Sequence, residues 1–170
     1  MNYLTDANYC QKIYPIIVHE EFKKRKNYVH HEGISVYDHS IQVSYLAYRM
    51  ALKLSKIMRV DIESVIIGGL LHDFYFNPWQ EAKSEKKKLF QQHGFAHAKE
   101  AVLNSFQYFS QYMNMKVIDI IIKHMFPLNI TLPTYRETWI VTIADKVVSM
   151  EVLKYPRQWP KYLGLKRKKD

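Results

Sequence analysis

The 170-residue chain holds one cysteine, Cys10, so no disulfide can form within it and no cysteine-based zinc cluster can be built. That composition fits a reducing compartment, and any metal must be held by His and carboxylate. Five glycines and six prolines, with no Ser/Gly-rich linker, low-complexity tract or repeat, offer no obvious interdomain boundary. Long apolar runs are missing too: the longest, residues 65–71, falls well short of the ~18–20 residues that cross a bilayer. Residues 1–10 are polar and include Asp6, where a secretory signal would lead from basic residues into an apolar stretch. The expectation is a soluble, cytoplasmic protein without a membrane partner.

Acidic residues are also scarce, 16 Asp and Glu against 25 Lys and Arg, and the net charge of +9 raises the question of an anionic partner. Residues 23–26, 83–88 and 161–170 carry +4, +3 and +4, more than the whole excess. A helix end, a loop and a tail of this kind are usually solvated, so the charge argues little for nucleic acid, and a nucleic-acid partner is not expected. What is plentiful is apolar side chain: 48% hydrophobic and 14% aromatic residues suffice for one domain with a sizeable core.

The apolar spacing is helical. Residues 5–26 read as one helix broken or kinked at Pro15, with Ile13, Ile16, Ile17 and Phe22 inward. Ser35 and Asp38 form a capping signal before a stripe at Ile41, Val43, Leu46, Ala47, Met50 and Leu54. Asp61 caps a helix expected to run to about Phe76, ended by Asn77 and Pro78. A lysine-rich surface loop over 77–92 follows, then helices over about 93–109 and 114–125, the second stopped by Pro127. Thr134 and Glu137 read as a second capping box, opening a helix through Trp139, Val141, Asp145, Val148 and Val152. Alternation of period two is scarce, so the fold class is all-α. The organisation expected is a helical N-terminal extension (1–34) packed on the core, a compact helical-bundle domain (35–155) and a basic tail (156–170).

Ionisable residues on apolar faces carry the chemistry. His39 shares its stripe with Val43, Leu46 and Met50; His72, next to Asp73, follows Val65 and Gly69; His124 continues Val117, Ile120 and Ile121; Asp145 sits between Val141 and Val148. A single inward histidine is most often a hydrogen-bonded core residue. Four helices each aiming a His or Asp inward are different, because a buried polar group without a partner costs ~2–7 kcal/mol. A shared divalent cation resolves the conflict, since imidazole and carboxylate suit Fe, Mn, Co, Ni or Zn. His93 and His97 share a face at i, i+4, and spacing alone leaves surface and site readings open for both. His19, His30 and His31 flank loops and read as surface residues, with His31 also placed to line a cleft mouth.

The ordered set His39, His72-Asp73, His93, His124, Asp145 resembles the HD superfamily of metal-dependent phosphohydrolases in its two-metal version. The contexts agree: Tyr37-Asp38-His39-Ser40, Gly69-Leu70-Leu71-His72-Asp73-Phe74, His93-Gly94, Lys123-His124 and Ile143-Ala144-Asp145-Lys146. Within that superfamily the chain is similar to small bacterial stand-alone HD proteins and to the hydrolases that cleave diadenosine tetraphosphate symmetrically. No Gly-Tyr-Pro follows the later His, so the cyclic-di-GMP phosphodiesterase branch is a poor match. The resemblance implies that His39, His72, Asp73 and Asp145 hold one metal and that Asp73 bridges to a second held by His93 and His124. His97 stands where the related hydrolases have Gly, with a ligand, supporting or phosphate-contact role open.

The activity so implied is hydrolysis of a phosphoester or phosphoanhydride in a small phosphorylated substrate, a nucleotide by preference, through a metal-activated hydroxide. Asp73 would bridge the metals and orient the nucleophile. Lys146, Lys123 and Arg136 are candidates to contact phosphate, and His97 or His31 to protonate the leaving group. Two alternatives use the same residues differently: an HD-like di-iron oxygenase, and a non-catalytic basic nucleotide- or nucleic-acid-binding module with a structural metal. Oligomeric state is left open by the sequence.

Overall fold

A computed structural model describes residues 3–31, 34–76 and 89–154, and side chains within residues 3–28, 34–76 and 97–150. Among the described residues there are seven α-helices: α1 (Ala7–Ile17), α2 (Glu20–Lys23), α3 (Val36–Leu54), α4 (Ile62–Leu71), α5 (Leu89–Phe109), α6 (Met115–Lys123) and α7 (Arg136–Lys154). A two-stranded antiparallel ribbon, β1 (Val29–His31) and β2 (Ile34–Ser35), is a minor addition to an all-α architecture. No described helix is long and apolar enough to cross a membrane.

The helix starts follow local chemistry. Ser35 Oγ accepts from Asp38 N at 3.0 Å, Asp61 Oδ1 from Ser64 N at 3.1 Å, and Asn114 Oδ1 from Lys116 N and Val117 N at 2.9 and 3.0 Å. α4 lies at the centre, buried from Ser64 to Leu71. One apolar cluster joins it to α1, α2, α5 and α6 through Tyr9, Ile13, Phe22, Leu70, Ala101 and Ile121. A second joins it to α3 and α7 through Val43, Ala47, Val65, Val141 and Ala144.

Several expectations need correction. The N-terminal helix runs through Pro15 and breaks after Ile17 instead, because His19 turns extended and its Nδ1 accepts from Glu21 N at 3.2 Å, starting α2. Ile17 is only half-buried, and Tyr9 takes an inward place. α4 stops at Leu71, five residues before the expected end, which puts His72 at its C-cap and Asp73 beyond it. The capping box of α7 does not form. Thr134 N, Tyr135 N and Thr138 Oγ1 all donate to Asp119 Oδ2 of α6, at 3.0, 3.3 and 2.6 Å, while buried Glu137 accepts from Asp61 N at 2.8 Å and pairs with Lys116 at 3.1 Å.

The basic run at 23–26 is not wholly solvated either. Arg25 is buried, with its guanidinium over the rings of Tyr28 and Phe76 at 4.3 and 4.6 Å. The basic stretch 83–88, most of the surface loop expected over 77–92, and the tail 156–170 lie outside the described residues.

Candidate metal centre

Four helices converge on one buried point. α3 contributes His39 near its start, α7 contributes Asp145 from its middle, and α4 and α6 end there with His72 and His124 as their C-caps. All four residues and Asp73 are buried. His39 Nε2 stands 3.2 Å from Asp145 Oδ1, and His72 Nε2 stands 3.5 Å from Asp73 Oδ2 and 3.9 Å from Asp145 Oδ1. The other oxygen of Asp73, Oδ1, is 3.5 Å from His124 Nε2. Two overlapping triads result, His39/His72/Asp145 and His72/Asp73/His124, each with its donor atoms within 4.8 Å of one another.

The orientation of the imidazoles has a local cause. His72 Nδ1 lies 2.9 Å from the Gly69 carbonyl and His124 Nδ1 lies 2.8 Å from the Ile121 carbonyl, each three residues back in its own helix. A carbonyl only accepts, so Nδ1 carries the proton in both rings and Nε2 presents its lone pair. Burial, partly opposed by the charge of Asp73, lowers the His72 pKa to about 4, which keeps the ring neutral at physiological pH. Burial alone would raise the Asp145 carboxyl, but His39 and the ammonium of Lys146 outweigh it and hold that group below the usual carboxylate range. The C-terminal ends of α4 and α6 add their negative dipole ends at the same place.

This donor set fits a cation. His72 Nε2 is fully buried and makes no hydrogen bond among the described residues, a costly state unless something else takes its lone pair. Neutral imidazoles and ionised carboxylates are the forms that bind a divalent ion, and donors bonded to one ion at ~2.0–2.2 Å stand roughly 3–3.5 Å apart, near the spacings found.

Surrounding residues fix the centre. Lys146 Nζ donates to Asp145 Oδ2 at 2.8 Å and to the His124 carbonyl at 3.2 Å, joining α7 to the end of α6. The segment after Asp73 is anchored residue by residue: the Phe74 carbonyl accepts from Asn104 Nδ2 at 3.0 Å, the Tyr75 carbonyl accepts from Arg25, and Phe76 N donates to Glu100 Oε1 at 2.8 Å. Half-buried His97 stacks near Tyr75 and His124, ring centroids 5.7 and 5.9 Å apart.

The other sequence candidates fall as follows. His93 lies in α5 one turn before His97, with its side chain outside those described, as are those of His30 and His31. Lys123 is engaged by Asp119 and Thr134. Arg136 reaches the Arg59 carbonyl at 2.9 Å from the first residue of α7, nine residues and so ~13 Å along the helix from Asp145. His19 is half-buried, its ring on Phe109 with centroids 4.9 Å apart. Sequence reasoning missed Arg25, Asn104, Glu100 and Asp119, which act on backbone far away in the chain and leave no periodic signal.

A helical bundle that buries three imidazoles and two carboxylates at the meeting of four helices is, as a class, an all-α protein with a donor set able to hold a metal ion. The model of the HD domain family matches residues 36–150, and the chain belongs to that family, whose domains are generally metal-dependent hydrolases. Comparison with curated proteins and with solved structures returns no match.

Proposed function

We propose that this protein is a phosphohydrolase that binds two divalent metal ions and cleaves a phosphoester or phosphoanhydride of a nucleotide, with dinucleoside polyphosphates as the first substrates to try. The single observation that carries the reading is the position of Asp73. Its Oδ2 faces His39 and His72 at 4.0 and 3.5 Å, while its Oδ1 faces His124 at 3.5 Å, so one carboxylate serves two groups of donors. His39, His72, Asp145 and Asp73 Oδ2 would hold one ion; His124 and Asp73 Oδ1, with His93 by family resemblance, would hold the other.

When bound, such ions lower the pKa of a water molecule and neutralise charge on a phosphoryl group. The chain's own residues do the rest. Asp73 and Asp145 keep the centre anionic, hence selective for cations, until it is loaded. An ammonium has three N–H donors, and Lys146 uses two on Asp145 and the His124 carbonyl, leaving one for a phosphoryl oxygen. His97, half-buried with its ring centroid 5.9 Å from that of His124, would hand a proton to the leaving oxygen.

The test measures transition-metal content of the purified protein and phosphate release from a nucleotide panel, for wild type and Asp73→Asn. Bound metal and phosphate release in the wild type, both lost in the variant with unchanged circular dichroism, are the expected results. Full activity in Asp73→Asn would refute the reading. Oxygen consumption without phosphate release would replace it with the oxygenase alternative.

A further inference from the structure

Arg25 is the only buried Lys or Arg among the described residues, and it is 2% exposed. Within that set no carboxylate pairs with it, and its Nε makes no hydrogen bond. Enclosing a guanidinium without an ion-pair partner is costly, so the bond it does make is informative: Nη1 donates to the Tyr75 carbonyl. That carbonyl is one end of a peptide group whose other end, the N–H of Phe76, donates to Glu100 Oε1 at 2.8 Å. A cation thus stands at the oxygen and a carboxylate at the N–H of one peptide dipole, both in charge-assisted hydrogen bonds, roughly twice as strong as neutral ones. One charge comes from the N-terminal segment and the other from α5, so the Tyr75–Phe76 peptide is fixed from two sides.

The fixed peptide reaches Asp73 through the backbone. Tyr75 N donates to the Asp73 carbonyl at 2.9 Å, and between them the Phe74 carbonyl accepts from Asn104 Nδ2 at 3.0 Å. We infer that this charge-held peptide aims the Asp73 carboxylate, and that Arg25 and Glu100 are positioning residues for the metal ion that depends on it. The inference rests on the two-metal reading above.

The two groups of donors need Asp73 unequally. His39, His72 and Asp145 supply three donors without it, whereas in the triad His72, Asp73 and His124 it is the sole carboxylate. A shift of the peptide turns Asp73 Oδ1 away from His124, 3.5 Å distant, and leaves the first triad as it was. Loosening the peptide therefore weakens one binding step and spares the other, because metal affinity follows donor position within ~0.2 Å. A plain loss of stability produces no such split.

The experiment titrates the metal-free full chain with Mn²⁺ by calorimetry and records a thermal melt of each variant. Two binding steps are expected in the wild type. Arg25→Met and Glu100→Ala should each weaken the second step ~10–100-fold, as loss of a residue that orients a metal ligand does, and leave the first nearly unchanged. Glu100→Gln, which keeps an oxygen to accept from Phe76 N, should restore most of the second step. Tyr48→Ala, which opens the core nine residues along α3 from His39, should lower Tm and spare both steps. Should Arg25→Met fail to fold, Glu100→Ala and Glu100→Gln, at a half-buried position of α5, carry the test. A native second step in Glu100→Ala, or an equal loss of that step in Tyr48→Ala, overturns the inference alone. A wild type that takes up fewer than two ions overturns it together with the two-metal reading.

Discussion

Gly69→Ala tests the idea that the metal centre depends on how closely α3 and α4 approach. A Cβ at Gly69 would sit 2.7 Å from Ser44 Cα, 3.1 Å from Ser44 Cβ and 3.3 Å from Ser44 N. Ordinary carbon contacts are ~3.5–4.0 Å, so the two helices must part by roughly 1 Å. Alanine regains ~1 kcal/mol of helix propensity, against which overpacking costs ~1–3 kcal/mol and strain on the hydrogen bond from Ser44 Oγ to the Ile66 carbonyl, 2.8 Å long, costs about another 1. The net loss is about 2 kcal/mol, a fall in Tm of ~4–8 °C at this size. The functional effect should be larger. His39 rides on α3, His72 caps α4 and takes its orientation from the Gly69 carbonyl, and metal sites tolerate only ~0.2 Å in donor position. Metal titration by calorimetry, with a thermal melt, reads both. Gly68→Ala is the control: the three atoms nearest its Cβ all belong to the Ile120 side chain, Cδ1 at 2.6 Å, so Ile120→Ala should relieve it. No trimming of Ser44 can relieve Gly69→Ala, since backbone atoms are in the way. Native metal affinity in Gly69→Ala, or its full rescue by Ser44→Gly, would refute the reasoning.

Arg25→Met keeps the apolar stem but takes the Arg25 donor away from the Tyr75 carbonyl and removes the cation from its aromatic surroundings; urea denaturation should show a loss of about 2 kcal/mol, while Lys26→Met, which loses only an exposed contact 4.7 Å from the Tyr37 ring, should cost less than ~1 kcal/mol. Lys146→Ala should lower metal affinity ~10–100-fold with little change in fold, measured by chelator competition, because Asp145 loses the partner that orients it. Asp119→Asn should destabilise by ~1–3 kcal/mol at pH 7. Although burial alone would raise the Asp119 carboxyl, Lys123, Thr138 and Thr134 hold it below its ordinary 3.8. Its contribution is therefore full above pH ~4 and is lost as pH falls below that value, so the gap between wild type and variant should close towards pH 3 in acid-unfolding curves.

Four of the five residues of the buried cluster were legible because each obeys a helical period: His39 with Val43, His72 with Gly69, His124 with Ile121, Asp145 with Val141 and Val148; Asp73 was legible only as the neighbour of His72. What escaped were features decided by distant partners. Nothing local ends α4 at Leu71, for Phe74, Tyr75 and Phe76 continue the apolar run; the anchors that pull them out of the helix come from Arg25 and from α5. Asp119 and Lys123, four apart, look like an ordinary surface pair, yet the carboxylate is buried and caps the start of α7 across fifteen residues. Arg25 was hidden in a basic run, since charge counting cannot tell a solvated cation from one enclosed by Tyr28, Phe74 and Phe76.

The early end of α4 is what makes the centre possible. Had the helix continued, Asp73 would lie a hundred degrees round from His72, and its carboxylate could not turn one oxygen to His72 and the other to His124. Leaving the helix exposes backbone that must find partners inside the protein, and three carbonyl or amide groups in succession find them on Asn104, Arg25 and Glu100. Two of those come from α5, within the residues matched by the family; Arg25 comes from the segment before them. The N-terminal helices are thus part of the centre's support, and their packing through Ile13, Ile16 and Phe22 holds that cation against the carbonyl two residues beyond Asp73.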